Sequence, residues 1–245
     1  MTTLSVNVNK VALLRNSRDI GVPSVTRAAQ ICVDAGVGGI TVHPRPDQRH
    51  IRPSDVYELA EMLTVEFNIE GNPFAGPEKD YPGFLEIIRK VRPSQCTLVP
   101  DDPGQLTSDH GWNIASNAER LRPVLDEIRS LGVRISLFMD PDPGQMALAA
   151  ECGADRIELY TEPYARAFES GDCEEAIEIY RQAAEAARKA GLGVNAGHDL
   201  NLENLARFCT IEGIHEVSIG HALISEALEM GLSKTVDAYL KILAG

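Results

Sequence analysis

The amino-acid sequence predicts an α/β protein of the (β/α)8 class, a TIM barrel formed by a single domain over residues 1–245. Short runs rich in β-branched residues alternate eight times with longer segments of helical periodicity. Eight repeats in 245 residues give about 31 residues each, the size of a strand–helix unit. No linker divides the chain. A doubly wound sheet is the alternative, but no GxGxxG motif follows the first run.

The eight runs are predicted as parallel strands and the segments between them as helices. In chain order, the strands are expected at residues 4–8, 39–43, 65–70, 96–99, 133–138, 156–159, 193–196 and 216–219. Helical segments end at glycines typical of a left-handed C-cap, namely Gly36, Gly132, Gly153 and Gly191. Three prolines are predicted at helix starts or in early turns, where a missing N–H costs little: Pro23, Pro53 and Pro123. Two longer polar connections, one of them expected to act as a lid, cover residues 101–113 and 161–171.

The composition excludes several classes of protein. The chain has 23 Lys and Arg against 36 Asp and Glu, a formal charge of −13, which argues against binding to nucleic acid or to an acidic membrane surface. No apolar stretch approaches the roughly 20 residues that span a bilayer, and the first residues do not resemble a signal peptide. The five cysteines are scattered and form no C-x-x-C pair. We therefore expect a cytoplasmic protein with reduced thiols and no structural zinc site.

Residues capable of chemistry follow the predicted strands, at the barrel end where such folds place their active sites. They are Asn7, Asn9, Lys10, Arg15 and Arg18 after the first strand, His43, Arg45, Arg49 and His50 after the second, Glu70 in the third, Glu158 in the sixth, His198 after the seventh and His221 after the eighth. Four of the six histidines thus lie on one predicted rim. The other two, His110 and His215, are expected to be structural.

The carboxylates and histidines each have a functional and a structural interpretation. Glu70 follows Phe67 and Ile69 in a buried strand, where low dielectric would raise its pKa and suit it to act as a base. A buried glutamate paired with arginine is the alternative, and the same two interpretations apply to Glu158. His50 and His221 could instead cap helices.

Two strand ends repeat a Gly-His sequence that favours anions. Residues 195–198 and 218–221 each place glycine at the end of a strand and then enter a predicted helix, whose free N–H groups favour negative charge. An ordinary turn is the alternative. Arg18, Arg45 and His50 form a second predicted cationic cluster. Two anion sites would suit two phosphorylated substrates or one bisphosphate.

Lysine and metal-ligand patterns restrict the chemistry. Of six lysines only Lys10 lies at a strand end, so a Schiff-base aldolase would depend on it. No HxH, HExxH or DxD pattern appears, and we predict neither a metal nor a cofactor. Three alternatives stay open: a metal-dependent sugar-phosphate epimerase or isomerase with His43, Glu70 and His198 as ligands, the Lys10 aldolase, and a barrel that only binds or assembles.

Several segments together resemble the pyridoxine 5′-phosphate synthase family, over essentially the whole chain. They are residues 4–10, 14–18, 39–45, 49–51, 68–70, 194–198 and 219–222. The resemblance implies condensation of 1-deoxy-D-xylulose 5-phosphate with 3-amino-2-oxopropyl phosphate to pyridoxine 5′-phosphate, inorganic phosphate and water. It also implies a homo-octamer built of dimers.

The resemblance also implies a role for each matching residue. His43 and Glu70 would accept protons, His198 would donate one, and Glu158 would stabilise a charged transition state. The deoxyxylulose phosphate would contact Asn9, Lys10, Arg45, His50 and Thr107, and the amino-ketone phosphate would contact Asn7, Arg18, Asp199, Gly220 and His221. The family commonly has Asp-His where this chain has Asn9-Lys10, and Gly where it has Asp199. An anionic Asp199 would repel a phosphate, so only its backbone N–H is expected to contact one.

Overall fold

The computed structural model describes residues 2–18, 20–102 and 104–245. Its strands are β1 (Thr3–Asn7), β2 (Gly39–Val42), β3 (Glu66–Gly71), β4 (Gln95–Leu98), β5 (Arg134–Met139), β6 (Arg156–Tyr160), β7 (Gly193–Gly197) and β8 (Ile214–Ile219). Its helices are α1 (Asn9–Asn16), α2 (Val25–Asp34), α3 (Pro53–Met62), α4 (Phe84–Val91), α5 (Ile114–Ser130), α6 (Pro143–Cys152), α7 (Glu162–Ser170), α8 (Cys173–Lys189), α9 (Leu205–Phe208), α10 (His221–Met230) and α11 (Leu232–Ala244).

The eight strands form a closed parallel barrel in sequence order, which confirms the predicted (β/α)8 class. β1 closes the barrel by pairing with β8, where Ser5 lies beside Ser218 and Val6 beside Ile219. Because all strands are parallel, their carboxyl ends meet at one end of the barrel. In the part of the chain that is described, no helix is long and apolar enough to cross a membrane.

The two faces of the barrel wall differ in chemistry. The outward side chains are apolar and fully buried, as Leu4 and Val6 in β1 and Ile40 in β2 illustrate. Most inward side chains are polar, and several of them bond to one another around the barrel. Their contacts include Ser5 Oγ to Thr41 Oγ1 (2.7 Å), Asn68 Nδ2 to Thr41 Oγ1 (3.3 Å) and Thr97 Oγ1 to Asn68 Oδ1 (3.1 Å). Burial between sheet and helices therefore supplies the apolar core, and the barrel interior is left for polar groups.

Ion pairs occupy the amino-terminal end of the barrel interior. Arg134 pairs with Glu66 and donates from Nε to Gln95 Oε1 at 2.9 Å. Arg156 donates to Asn195 Oδ1 at 3.0 Å and lies 3.9 Å from Glu216 Oε2. Glu66 is thus paired with an arginine, whereas burial raises the pKa of Glu216 to about 7 although Arg156 lies near it.

Two local expectations were wrong. Residues 161–171 do not form a polar loop, because α7 covers Glu162–Ser170. Pro123 does not lie in an early turn, because it is the tenth residue of α5 (Ile114–Ser130). There it cannot donate to the carbonyl of Glu119, and both residues are exposed, so water can solvate that carbonyl. Gly36, Gly132, Gly153 and Gly191 all have positive φ, which agrees with the predicted helix ends.

Candidate active site

A cavity of about 420 Å³ opens at the carboxyl end of the barrel. Thirteen of the fourteen predicted site residues line it, namely Asn7, Asn9, Lys10, His43, Arg45, His50, Glu70, Thr107, Glu158, His198, Asp199, Gly220 and His221. Arg18 is the exception: it is exposed after α1 and is not among the lining residues. The structure therefore brings the predicted residues together, while their individual roles stay predictions.

Glu70 lies in the wall of this cavity at the end of β3. Asn7 Nδ2 donates to its Oε2 at 3.3 Å, and His43 Nδ1 lies 3.9 Å from the same oxygen. Burial, and then the nearby carboxylate of Glu158, raise the pKa of Glu70 well above the ordinary value. No arginine is bonded to Glu70 among the described residues, so the paired-glutamate alternative does not describe it.

Glu158 is the second buried carboxyl of the cavity, with 2% of the residue exposed. Thr97 Oγ1 lies 3.4 Å from its Oε2. Burial, reinforced by Glu216, raises its pKa to about 8. Gly197 makes room for this carboxyl, because a Cβ there would lie 2.3 Å from Glu158 Oε1. Two carboxyls with raised pKa values thus face one cavity.

His43 is the base that lies nearest to Glu70. Burial lowers the pKa of His43 well below its ordinary value, and Arg45 lowers it further. Asn9 Oδ1 accepts the backbone N–H of His43 at 2.9 Å, and Asn7 Oδ1 accepts that of Asn9 at 2.9 Å. An aspartate at position 9 could accept the same bond, so the Asn9 departure from the family pattern preserves this contact. The Asn7–Asn9–His43 chain fixes the backbone on one side of the cavity.

His50 is an uncharged hydrogen-bond donor and not part of a cationic cluster. Its Nδ1 accepts the backbone N–H of Ile51 at 2.9 Å, so the ring proton lies on Nε2. Burial, followed by the charge of Arg45, lowers its pKa to about 3. The expected cluster of Arg18, Arg45 and His50 thus contributes only Arg45 as a cation that lines the cavity.

Arg45 carries that charge from a buried position and has fixed partners. It pairs with Asp101, and its Nη1 donates to the carbonyls of Gln105 (3.0 Å) and Leu106 (3.3 Å). Arg49 Nη1 donates to the same two carbonyls, each at 3.0 Å. Both arginines therefore hold the connection that follows β4, which contains no helix or strand over residues 101–102 and 104–113.

The ends of β7 and β8 complete the cavity. His198 and Asp199 both have positive φ (85° and 57°), and the His198 ring lies against Phe138 and Tyr160 with centroids 5.7 and 5.3 Å away. Asp199 Oδ2 lies 3.7 Å from His198 Nδ1, and this neighbour lowers the pKa of Asp199. Non-glycine residues rarely adopt left-handed backbone, so two in succession indicate that the surrounding residues impose this conformation.

Gly220 precedes α10 and has no side chain to cap the helix. A Cβ at this position would lie 3.1 Å from Asn7 Cβ, closer than ordinary contact. No side-chain hydrogen bond caps α10, so its first N–H groups are available to an anion at the cavity. His221 is the first, exposed residue of this helix.

Two residues at the site were missed from the sequence. Asp101 directly follows β4 and is buried against Arg45, and Ser108 Oγ donates to Asp101 Oδ2 at 2.8 Å. The sequence could have identified Asp101, because it follows a strand end, but no sequence pattern points to Ser108. Arg15 has a structural position instead: it pairs with Asp55 and donates to the His50 carbonyl at 3.2 Å.

The remaining histidines agree with their structural interpretation. His215 Nδ1 accepts the backbone N–H of Val194 at 3.2 Å, and His110 is exposed beside Asp109 at 2.6 Å. Among residues 2–18, 20–102 and 104–245, no group of three or more His, Cys, Asp or Glu side chains is placed to hold a metal ion.

Comparison with known proteins gives a full-length match. The family described as "Pyridoxal phosphate biosynthesis protein PdxJ" matches residues 4–245. Pyridoxine 5′-phosphate synthase of Xanthomonas campestris pv. campestris (strain B100) is 56% identical, covering 100% of this chain and 97% of the relative. The synthase of the same name from Albidiferax ferrireducens is 54% identical, covering 99% and 98%.

Solved structures show the same fold at low identity. Thiamine phosphate pyrophosphorylase from Pyrococcus furiosus superposes with a TM-score of 0.63 at 14% identity, covering 99% of this chain and 95% of that chain. KGPDC from Streptococcus mutans gives a TM-score of 0.64 at 11% identity, covering 100% and 98%. These likenesses concern the fold alone.

Proposed function

The chain belongs to the pyridoxal phosphate biosynthesis protein PdxJ family, and from this premise we propose that it is a pyridoxine 5′-phosphate synthase. It condenses 1-deoxy-D-xylulose 5-phosphate with 3-amino-2-oxopropyl phosphate and releases inorganic phosphate and water. The structural observation that carries the proposal is the convergence of thirteen predicted residues on one cavity. The family match favours this activity over the metal-dependent epimerase and the Lys10 aldolase.

The first bond joins the two substrates without an enzyme nucleophile. The amine of the amino ketone attacks the ketone of the sugar phosphate, and loss of water leaves an imine between them. Lys10 is therefore not needed for a Schiff base, and it serves as a polar contact at the cavity wall. What the reaction demands from the protein is a set of proton donors and acceptors.

Three side chains meet that demand. Burial keeps His43 neutral, so it is the proton acceptor in the resting site. Burial also favours the protonated form of Glu70, so Glu70 acts as an acceptor once it is ionised. His198 lies across the cavity from them as the proton donor, packed against Phe138 and Tyr160.

Glu158 stabilises positive charge that develops on the forming ring. Its carboxyl is buried near Glu70, and its charge raises the pKa of Glu70. A cationic iminium between them would favour the ionised form of both. Ionisation is thereby linked to the step that creates the charge.

Phosphate groups bind at two parts of the rim. The deoxyxylulose phosphate contacts Arg45, the Nε2–H of His50, and Thr107, with Asn9 and Lys10 beside them. The amino-ketone phosphate lies at the start of α10, at Gly220 and His221, near Asn7. Asp199 contributes its backbone N–H. Arg18, exposed after α1, reaches this phosphate only if the segment carrying it moves or another subunit supplies it.

We further expect a cytoplasmic homo-octamer built of dimers. Support for association comes from large apolar side chains that are exposed near α1 and on α10, namely Leu14, Ile20, Val22 and Leu228. Light scattering coupled to gel filtration would measure the assembly, and a monomer at micromolar concentration would contradict it.

An assay with both phosphorylated substrates tests the activity. The purified protein should release inorganic phosphate and form the pyridine chromophore only when both substrates are present. Activity should persist after EDTA treatment, and borohydride with either substrate should not label Lys10. Absence of the chromophore, with the protein folded, would contradict the proposal.

A further inference from the structure

Asp101 is a buried carboxylate to which the proposed reaction assigns no task. It follows β4, is 4% exposed, and its Oδ2 faces the guanidinium of Arg45, which is also 4% exposed. Burial raises its pKa, and the hydroxyl of Ser108 and the charge of Arg45 act in the opposite direction. A buried carboxylate is costly unless charge and hydrogen bonds offset the loss of water, and here Arg45 and Ser108 do so.

Hydrogen bonds of Asp101 and Arg45 hold the connection after β4 at several points. Ser108 Oγ donates to Asp101 Oδ2 at 2.8 Å, so residues 101 and 108 are joined across that connection. Arg45 Nη1 donates to the carbonyls of Gln105 and Leu106 within it. Asn72 Nδ2, in the connection after β3, donates to the Asp101 carbonyl at 2.9 Å and anchors the backbone.

Arg45 keeps N–H groups that can bind a ligand. A guanidinium has five N–H groups, and Asp101, Gln105 and Leu106 accept three of those of Arg45. Two have no partner among the described residues, which is the number that a phosphate uses when it binds arginine with two oxygens. The partners therefore hold the arginine in place without consuming its capacity for an anion.

We propose that Asp101 is a positioning residue for the sugar-phosphate substrate: through Arg45 and Ser108 it holds the phosphate-binding guanidinium and residues 104–108 in one arrangement. Thr107 is predicted to contact the same substrate. In the sequence it lies between Leu106, whose carbonyl accepts from Arg45, and Ser108, whose hydroxyl donates to Asp101. One buried charge thus contacts both the arginine and the segment that are proposed to bind this phosphate. The role of Arg45 rests on the proposed function, while the ordering of residues 104–108 does not.

The second carboxylate oxygen of Asp101 is a buried hydrogen-bond acceptor, and Asp101 lines a cavity. Oδ1 is buried and has no hydrogen-bond partner within residues 2–18, 20–102 and 104–245. Asp101 also lines a second cavity of about 230 Å³, which shares His43 and Arg45 with the first. A buried acceptor next to a cavity needs a donor, and that cavity provides the space for one.

The test is Asp101→Asn, which keeps the shape and removes the charge. Without the charge the guanidinium is held less firmly, so KM for 1-deoxy-D-xylulose 5-phosphate should rise about 10-fold to 100-fold. KM for the amino-ketone phosphate should change less than about two-fold, because Arg45 does not contact that substrate. Hydrogen exchange of the amides of residues 104–108 should accelerate about ten-fold or more in the absence of substrate.

Two further variants separate this role from a general loss of stability. Asp102→Asn makes the same chemical change one residue away at an exposed position, and should alter neither KM nor amide exchange. Ser108→Ala removes the hydroxyl and leaves the Arg45–Asp101 pair intact. It should accelerate exchange of residues 104–108 with a rise in KM of less than about five-fold, and it provides the test if Asp101→Asn does not fold.

The outcomes distinguish the two proposals. If the wild-type protein makes no pyridoxine 5′-phosphate but Asp101→Asn accelerates exchange of residues 104–108, the synthase assignment fails and the ordering role stands. If a folded, active Asp101→Asn protein keeps both KM values and the exchange rates within two-fold of wild type, the positioning role is overturned. Equal effects of Asp102→Asn would overturn it as well.

Discussion

Two glutamates at opposite ends of one strand have opposite shifts in pKa. Glu66 and Glu70 lie four residues apart on the same inward face of β3 (Glu66–Gly71). Arg134 bonds Glu66 and lowers the pKa of that carboxyl below 4.5, whereas burial and Glu158 raise the pKa of Glu70 well above 4.5. At Glu66 the paired arginine favours the charged form, and at Glu70 burial favours the protonated form.

A second strand shows the same contrast through its glycines. In β7 a Cβ at Gly193 would lie 2.8 Å from Arg156 Cγ, at the amino end, and one at Gly197 would lie 2.3 Å from Glu158 Oε1, at the carboxyl end. Each glycine makes room for one inward side chain. The space is needed for packing at the amino end and, under the proposed mechanism, for a reacting group at the other.

The largest expected effect comes from exchanging the two glutamates of β3 for glutamine. Glu70→Gln removes a proton acceptor and should lower kcat by about 100-fold to 10,000-fold. Glu66→Gln, the matched control, should retain activity within a few-fold because its carboxylate lies at the far end of the barrel. Steady-state release of inorganic phosphate measures both. Near-normal turnover by a folded Glu70→Gln protein would contradict the acceptor role.

Alanine at the two glycines of β7 should give the next largest difference. Gly197→Ala pushes the Glu158 carboxyl away from its position and should lower kcat about ten-fold or more. Gly193→Ala meets only the flexible stem of Arg156, so its kcat should stay close to wild type. Circular dichroism confirms that both variants fold. An equal loss of activity in the two variants would contradict a special role for the carboxyl end of the barrel.

The pH dependence of stability should have opposite signs for Glu158 and Glu66. The folded-state pKa of Glu158 is about 8, above the ordinary 4.5, so between these values only the folded protein binds that proton. Relative to Glu158→Gln, wild type should therefore lose stability as pH rises from 5 to 8, at up to about 1.4 kcal/mol per pH unit. Urea unfolding at several pH values measures this, and a flat difference would argue against a raised pKa.

Glu66 should show the reverse and smaller dependence. Its folded-state pKa is lowered, so its contribution is present above pH 4.5 and is lost as pH falls through the folded-state value. Because its side chain is 42% exposed, Glu66→Gln should cost only about 0.5 kcal/mol at pH 7. The same unfolding series provides the measurement. A loss above about 2 kcal/mol would show that the pair behaves as a buried one.

Periodicity predicted the scaffold, because strand and helix patterns depend on residues that are close in sequence. Each predicted strand overlaps an observed one, and the carboxyl end collects the expected side chains. Residues 161–171 were wrongly predicted as a loop because the segment is polar. It contains several good helix formers, and its polar residues suit the exposed face of α7.

The charge states and partners at the site depend on contacts between distant segments, which periodicity does not report. Burial, followed by the charge of Arg45, lowers the pKa of His50 and keeps it neutral, and the N–H of Ile51 leaves its proton on Nε2. The pairing of Arg45 with Asp101 joins residues 56 positions apart. The placement of Arg18 outside the lining residues likewise depends on how the chain after α1 turns.

Carbon-13 NMR titration of the glutamate carboxyls tests the contrast between the two ends most directly, with Glu66→Gln and Glu70→Gln proteins used to assign the two signals. The Glu66 signal should titrate below pH 4.5 and the Glu70 signal well above it in the ligand-free protein. Titration of Glu70 at or below 4.5, together with Glu66, would contradict the distinction between the paired Glu66 and the reactive Glu70.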